Sequence, residues 1–439
     1  MSTQALQGEA DVVVVGAGIS GCATAYNLAK RGLKVVVLEK DDIAHEASGR
    51  SMAAVGLLGK HHPDEFKLTQ ASMELWNGLA DELHTDIEYI RGGRLAIANT
   101  DEDMPLFKEM VEGAEESGVA IEWLEPDQAR ARWPLLQGPF IKAVYSPQEG
   151  HVNPPKTVQA FARSAREYGA TFHTGCIVTN IDVKAGRVSS VSTNRGEIRT
   201  GAVVNVAGVW AYRLADRLGI HLPIQLIRVV QGETEPAPRL FDYFLRGPNY
   251  GARQTASDAF RITGGFRQLD VYHDLSLHDL RDIRMWFPRL LQYRRDVTLQ
   301  VNLALLKYEF TALVNGILRR KPGAPAPVGM EPRRHPRNLE RKLARLSKLV
   351  PDMKGIKLTR TWSGFVDMTP DFLPIIGPVD RPKGLYLATG FSGHGFALGP
   401  IVGKVMADLV IDGQTSVSLH SFRPSRFAEE QVQVPKRLM

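Results

Sequence analysis

Gly16, Gly18 and Gly21 stand in the order G-x-G-x-x-G directly after four valines, Val12 to Val15. That spacing suits a dinucleotide. Gly16 permits a tight turn, Gly18 lets a pyrophosphate approach the backbone, and Gly21 lets helix and strand pack closely. The valine run predicts a strand buried on both faces. Cys22 to Arg31 reads as the helix that follows, with Gly32 closing it. The N-terminus of that helix, just after Ile19 and Ser20, offers unpaired N–H groups and a positive dipole end to the phosphates. Leu33–Leu38 predicts a second strand, ending at Glu39 and Lys40. A carboxylate at Glu39 accepts hydrogen bonds from ribose hydroxyls and repels a 2′-phosphate, which disfavours NADP.

Three later segments carry small residues and donors that suit a flat ring system. The first is His45 to Gly56, with Ser48, Gly49, Arg50 and Ser51 as phosphate or ring-oxygen donors and Ala53 and Ala54 leaving room for backbone contact. The second is Val203 to Trp210, a strand running into a turn at Ala207 and Gly208. The third is Leu385 to Phe396, a strand ending in Gly390-Phe391-Ser392-Gly393-His394-Gly395-Phe396. A helix predicted from about Pro400 to Val410 places another positive dipole end beside that loop.

In these residues the sequence resembles the D-amino-acid oxidase superfamily of FAD enzymes, in its glycine/sarcosine oxidase-like branch. The resemblance runs through Arg91-Gly-Gly-Arg-Leu95, Glu149-Gly-His-Val-Asn-Pro154, Asn205-Val-Ala-Gly-Val-Trp210, Trp362-Ser-Gly364 and Thr369-Pro-Asp to Gly377. It implies an α/β chain: a Rossmann-like FAD-binding domain, a second mixed β-sheet substrate domain and a helical insert. The expected FAD domain is discontinuous, 8–58, 148–215 and 358–430. The substrate domain takes 59–147 and 216–357, with the insert at about 270–350. Val178 and Gly364 join the implied FAD contacts. The cofactor is expected to be non-covalent, because no cysteine lies near Ser363-Gly364 to form the thioether of some relatives. The implied chemistry is oxidation of a C–N bond to an imine that hydrolyses. It needs no metal, and no metal-ligand spacing is seen; His61-His62 reads as a polar loop pair.

Two departures weaken a plain sarcosine-oxidase reading. Ala397 follows the glycine loop where those oxidases carry a carboxylate-binding lysine, and Arg261 replaces an oxygen-activating one. Arg253, Arg261 and Arg267, on or beside a strand pair expected to cover the flavin, are the candidates for a substrate carboxylate. Arg253 and Arg261 share a face only if the hairpin register allows it. His394, inside the glycine loop, is the candidate donor at the flavin edge.

Residues 281–346 hold 15 Lys/Arg and 5 Asp/Glu, whereas the whole 439-residue chain is only +6. The basicity is therefore local. This stretch resembles the helical module of L-amino-acid deaminases, relatives that also have an N-terminal membrane helix not seen here. Leu280, Ile283, Phe287 and Leu291 predict a helix broken at Pro288; Val297 to Leu303 alternates as a strand; Leu306 to Ile317 is an amphipathic helix; Lys321–Pro327 is a stiff loop; Asn338–Leu349 is a further helix. The charge reads as a solvated face, or as a contact with anionic lipid through an apolar wedge, Met285-Trp286-Phe287. That contact would bring a membrane or electron-acceptor partner. Nucleic acid fits worst, since aromatics are not interleaved with the basic residues. Oligomeric state is not legible.

Composition bounds the rest. With 44% apolar residues the chain builds a large core and is not intrinsically disordered. Cys22 and Cys176 exclude a disulfide scaffold or a multi-cysteine metal site. No run of about 18 apolar residues occurs, so the expected location is cytoplasmic, or peripheral at the inner face of a membrane. The primary reading is an L-amino-acid deaminase or oxidase acting on a small amino or imino acid. The alternatives are a secondary-amine oxidase or dehydrogenase, and an FAD-containing subunit that docks RNA or a protein through the basic stretch.

Overall fold

The structure is a computed structural model. It describes residues 6–60, 62–116, 118–267, 271–292, 297–317 and 336–429. The four-valine strand Val12–Val15 lies inside a six-stranded sheet, buried on both faces. Its neighbours are Val35–Leu38 and Ala202–Asn205, both parallel to it. Thr171–His173 and Leu385–Thr389 extend the parallel order outward, and Ile375–Pro378 closes one edge antiparallel. Only strands covered on both sides by helices can be so uniformly apolar. The helix Ile19–Lys30 covers one face and packs on Pro154–Glu167 and Gly395–Asp412. Gly399 and Gly403 permit that last contact: a Cβ there would stand 2.3 Å from Ile19 and 2.5 Å from Ala23.

A ten-stranded mixed sheet forms the second half of the molecule. Its long strand Gln225–Pro236 pairs along one side with Leu358–Met368. On the other side it meets Val271–Leu275 and then Ala259–Thr263. Residues 358–368 thus lie in the large sheet, although the sequence boundary at 358 assigns them to the dinucleotide half. The backbone reason is a ladder: the strand bonds to Gln225–Pro236 along nearly its whole length before the chain returns to Ile375–Pro378. Antiparallel pairing of Gly251–Gln254 with Ala259–Thr263 sets Arg253 directly opposite Arg261, so the two share a face.

The basic stretch opens with helices Leu277–Arg281 and Ile283–Gln292, then strand Val297–Val301 and helix Leu303–Ile317. Pro288 does not end its helix, which runs on to Gln292. Leu303 begins a helix instead of ending a strand. The wedge is also corrected. Trp286 is buried with Ile227, Val271, Met368 and Phe372, while Phe287 points outward. Helix Pro336–Leu349 is no part of a projecting module: Leu339, Leu343, Leu346 and Leu349 pack into the core of the large sheet. The stiff loop 321–327 and His61 lie outside the described residues. His62 caps the helix Pro63–Glu82 by accepting from the Asp64 N–H.

Nine of the twelve exposed large apolar residues among the described ones fall between 280 and 313. No described helix is long and apolar enough to cross a membrane.

Candidate active site

A single elongated cavity runs from the glycine turn to the underside of the large sheet. At its first end Gly16 takes φ +110°, and a Cβ there would sit 2.6 Å from the Val206 carbonyl oxygen. Gly18 is the N-cap of helix Ile19–Lys30 and supplies no side-chain cap. The Ile19 N–H donates instead to Ser48 Oγ at 2.9 Å, which joins the first glycine segment to the second. Glu39 accepts from the Ala17 N–H at 2.8 Å through one oxygen and from the Asp41 N–H at 2.9 Å through the other. Each oxygen retains acceptor capacity for a ribose hydroxyl. Burial raises the Glu39 carboxyl above the usual range, against those two N–H donors and Lys40, which favour the anion. Lys40 itself pairs with Asp41 and with Glu46.

Most of the sequence-predicted cofactor residues line this one cavity: Gly16, Gly18, Ile19, Ser20, Glu39, Lys40, Ser48, Arg50, Ser51, Ala53, Ala54, Val178, Ala207, Gly208, Trp210, Gly364, Phe391, Gly393, His394, Gly395 and Phe396. Gly21, Gly49, Gly390 and Ser392 do not. They act on backbone geometry behind the wall. A Cβ at Gly21 would meet the Gly16 carbonyl oxygen at 2.0 Å, and one at Gly49 would meet that of Ala44 at 1.9 Å. Ser392 Oγ sits 3.1 Å from Thr369 Oγ1, and the Gly390 N–H donates to Asp367 at 2.6 Å. Ala53 at φ +50°, in the cavity wall, holds a left-handed backbone that alanine rarely adopts.

The arginines named from sequence are displaced. Arg253, Arg261 and Arg267 do not line the cavity. Arg253 reaches His151 Nδ1 and the Val152 carbonyl, both at 3.1 Å. Arg261 pairs with Glu233 at 3.2 Å and donates to the Ser51 carbonyl at 3.0 Å. These two tie the large sheet to the dinucleotide half. Arg267 pairs with Asp103 and Glu102 near the surface. Arg261 and Arg267 are ion-paired where they stand, whereas Arg253 has no carboxylate partner among the described residues and its Nε is buried without a hydrogen bond, outside the cavity wall.

His394 remains at the site. It is the N-cap residue of helix Gly395–Asp412, which starts five residues earlier than expected, with Pro400 inside. Its Nδ1 lies 2.6 Å from Glu65 Oε1, which in turn is 3.1 Å from Lys60 Nζ. Burial alone would raise the Glu65 carboxyl, but Lys60 and His394 hold it well below the usual range. Burial lowers the Lys60 ammonium, opposed by Glu65.

Besides Lys40 and Arg50, the cavity wall holds Lys60, Arg94 and Arg246, cations that sequence reasoning did not name as site residues. Arg94 is ion-paired with Glu149 at 2.7 Å and donates to the Leu58 carbonyl. Arg246 differs: it has no hydrogen-bond or ion-pair partner among the described residues, and its Nε is buried. Burial, with Arg94 nearby, pushes its guanidinium down to about 10. The Gln231 Oε1 is buried and unpartnered in the same wall. The one sequence signal was a charge inside Phe244-Leu-Arg246, a run otherwise apolar.

The residues present fit FAD. A Cβ would obstruct the turn at Gly16, the N-cap leaves N–H groups uncapped, and the cavity extends past the dinucleotide motif to a loop at a second helix N-terminus. Comparison with known proteins agrees. The chain is 25% identical to human mitochondrial dimethylglycine dehydrogenase over 431 residues, 96% of this chain but 44% of that protein. The chain thus spans less than half the length of this curated relative. It is 27% identical to glycine oxidase of Geobacillus kaustophilus, covering 95% of this chain and 97% of the oxidase. L-amino acid deaminase of Proteus vulgaris superposes with a TM-score of 0.85 at 25% identity, covering 96% and 98% of the two chains; a form lacking its specific insertion gives 0.74. The family model for FAD-dependent oxidoreductases of the DAO type matches residues 11–409, and the chain belongs to that family.

Proposed function

We propose that the protein oxidises the C–N bond of a small amino acid carrying a free carboxylate, in the manner of an L-amino-acid deaminase. Arg246 is the observation that carries this reading. A half-buried guanidinium whose Nε is wholly buried, with no anionic partner among the described residues and in the wall of the cofactor cavity, is costly unless a ligand supplies the anion. A carboxylate does so bidentately. The likeness in shape to the deaminase with its insertion supports the same reading.

FAD, when bound, supplies the acceptor for the hydride that leaves the substrate carbon. The protein does the rest. Arg246 orients the carboxylate, and Phe244, Phe266 and Met110 exclude water from the apolar end. His394, held by Glu65, is the group placed to hold or move a proton at its Nε2. The substrate loses a hydride and a proton, becomes an imine, and is hydrolysed to an oxo acid and ammonia. An N-methylated amino acid is the second reading, favoured by the likeness to dimethylglycine dehydrogenase. The same proposal takes the exposed apolar face at 280–313, within the strongly basic stretch, as a peripheral contact with an anionic membrane.

Anaerobic bleaching of the bound flavin by a panel of L-amino acids, N-methyl amino acids and uncharged amines tests the substrate. Primary L-amino acids are expected to bleach it. Arg246→Ala is expected to raise the apparent KM about 100-fold, as loss of a charge-assisted pair would. Bleaching by uncharged amines alone, or an unchanged KM in Arg246→Ala, overturns the assignment.

A further inference from the structure

Two histidines and two aspartates, remote from the cofactor cavity, meet where the basic stretch leaves the large sheet. Asp216 ends the helix Ala211–Asp216, and His221 lies five residues on. His278 belongs to helix Leu277–Arg281, and Asp282 is its C-cap, one turn later on the same face. His221 Nε2 is 2.6 Å from Asp282 Oδ1, and His278 Nε2 is 3.6 Å from Asp282 Oδ2. Asp216 faces Nδ1 of both imidazoles, at 3.7 and 3.8 Å. One ligand atom from each of His221, His278 and Asp282 falls within 4.8 Å of the other two.

The cluster is not closed on itself. Asp282 is 7% exposed, yet its Oδ2 accepts no hydrogen bond among the described residues, and neither does His221 Nδ1 make one. His278 Nε2 donates to the Leu222 carbonyl at 3.1 Å, a bond that ligation through this atom would replace, and Arg281 takes one oxygen of Asp216 at 3.3 Å. Ligands on a tetrahedral ion at about 2.0–2.1 Å stand roughly 3.3 Å apart, within the range of these contacts.

We infer that His221, His278 and Asp282 bind a divalent transition-metal ion, zinc by the ligand set, which clamps the start of the insert to the dinucleotide half. Two imidazoles and a carboxylate leave a fourth position for water or the Leu222 carbonyl. Asp216 is a positioning residue that faces Nδ1 of both histidines, at 3.7 and 3.8 Å, on the side where the outer partner of a metal-bound imidazole stands. Spacing along the chain hides the set, because 221 and 278 lie on separate elements.

The test uses FAD-loaded protein stripped with a chelator and titrated with Zn²⁺, then with Co²⁺ as a spectroscopic probe. About one ion per chain is expected, with a higher Tm and a visible Co²⁺ d–d band. His278→Gln and Asp282→Asn should each abolish the band, and Asp216→Asn should weaken binding about 10- to 100-fold. His278→Gln guards against misfolding, since its flavin content reports an intact fold. No zinc bound by wild type at about 100 µM free ion, or an unchanged Co²⁺ spectrum in folded His278→Gln, overturns the inference.

Discussion

At Gly18 the absence of a side chain is a spatial requirement. A Cβ would stand 2.9 Å from Ser48 Oγ, the atom that accepts the Ile19 N–H. Gly18→Val is expected to fold with less than about a tenth of the wild-type FAD content, because the branched side chain fills the pyrophosphate path. Absorbance at the flavin band of the purified variant measures this, and full flavin content contradicts it. Asp367 makes a pH prediction. Burial lifts its carboxyl to about 6, against the Gly390 N–H and Thr389, whose hydrogen bonds favour the anion. In the unfolded chain the group titrates near about 3.9. The folded state therefore holds this proton more tightly. Its contribution is full below about pH 4 and is lost as pH rises through about 6, on the order of 3 kcal/mol in all. Denaturant unfolding of apoprotein across that window should show the decline in wild type, and Asp367→Asn should flatten it.

At the scale of elements, the helix Ile283–Gln292 has two faces with different work. Trp286 packs on Ile227, Val271, Met368 and Phe372, which anchors the helix to the large sheet. Trp286→Ala should cost about 3–5 kcal/mol of stability by opening that cluster. Phe287 is 53% exposed, so Phe287→Ser should leave stability within about 0.5 kcal/mol. It should nevertheless reduce co-sedimentation with anionic vesicles at low salt. Equal binding by wild type and Phe287→Ser, or none by wild type, removes the membrane contact and leaves this face to a protein neighbour.

Across the whole molecule, the two halves are joined through arginines. Arg50 donates to the Ser363 carbonyl at 3.0 Å, Arg261 to that of Ser51, and Arg253 to that of Val152. The cavity they frame draws its wall from both sheets. FAD bound there should raise the Tm of the entire chain in one transition. Acid precipitation should release intact FAD, since Ser363 and Gly364 offer no thiol. Flavin fluorescence that stays with the denatured band on a gel contradicts the non-covalent expectation.

The dinucleotide unit was legible because its physics is local. Gly16, Gly18, Gly21 and Glu39 fall within one strand–helix–strand turn, and the neighbouring backbone alone dictates what each residue must be. His394 and the glycine loop were legible for the same reason. The choice among arginines was not. Arg253 and Arg261 are directly paired, as the hairpin allowed, but Glu233, Ser51, His151 and Val152 come from distant segments and hold them outside the cavity wall. Arg246 stays unpaired because no carboxylate from elsewhere in the described chain reaches it. Which charges are neutralised by the fold and which are left for a ligand depends on contacts between residues far apart in sequence, and only the tertiary structure decides it.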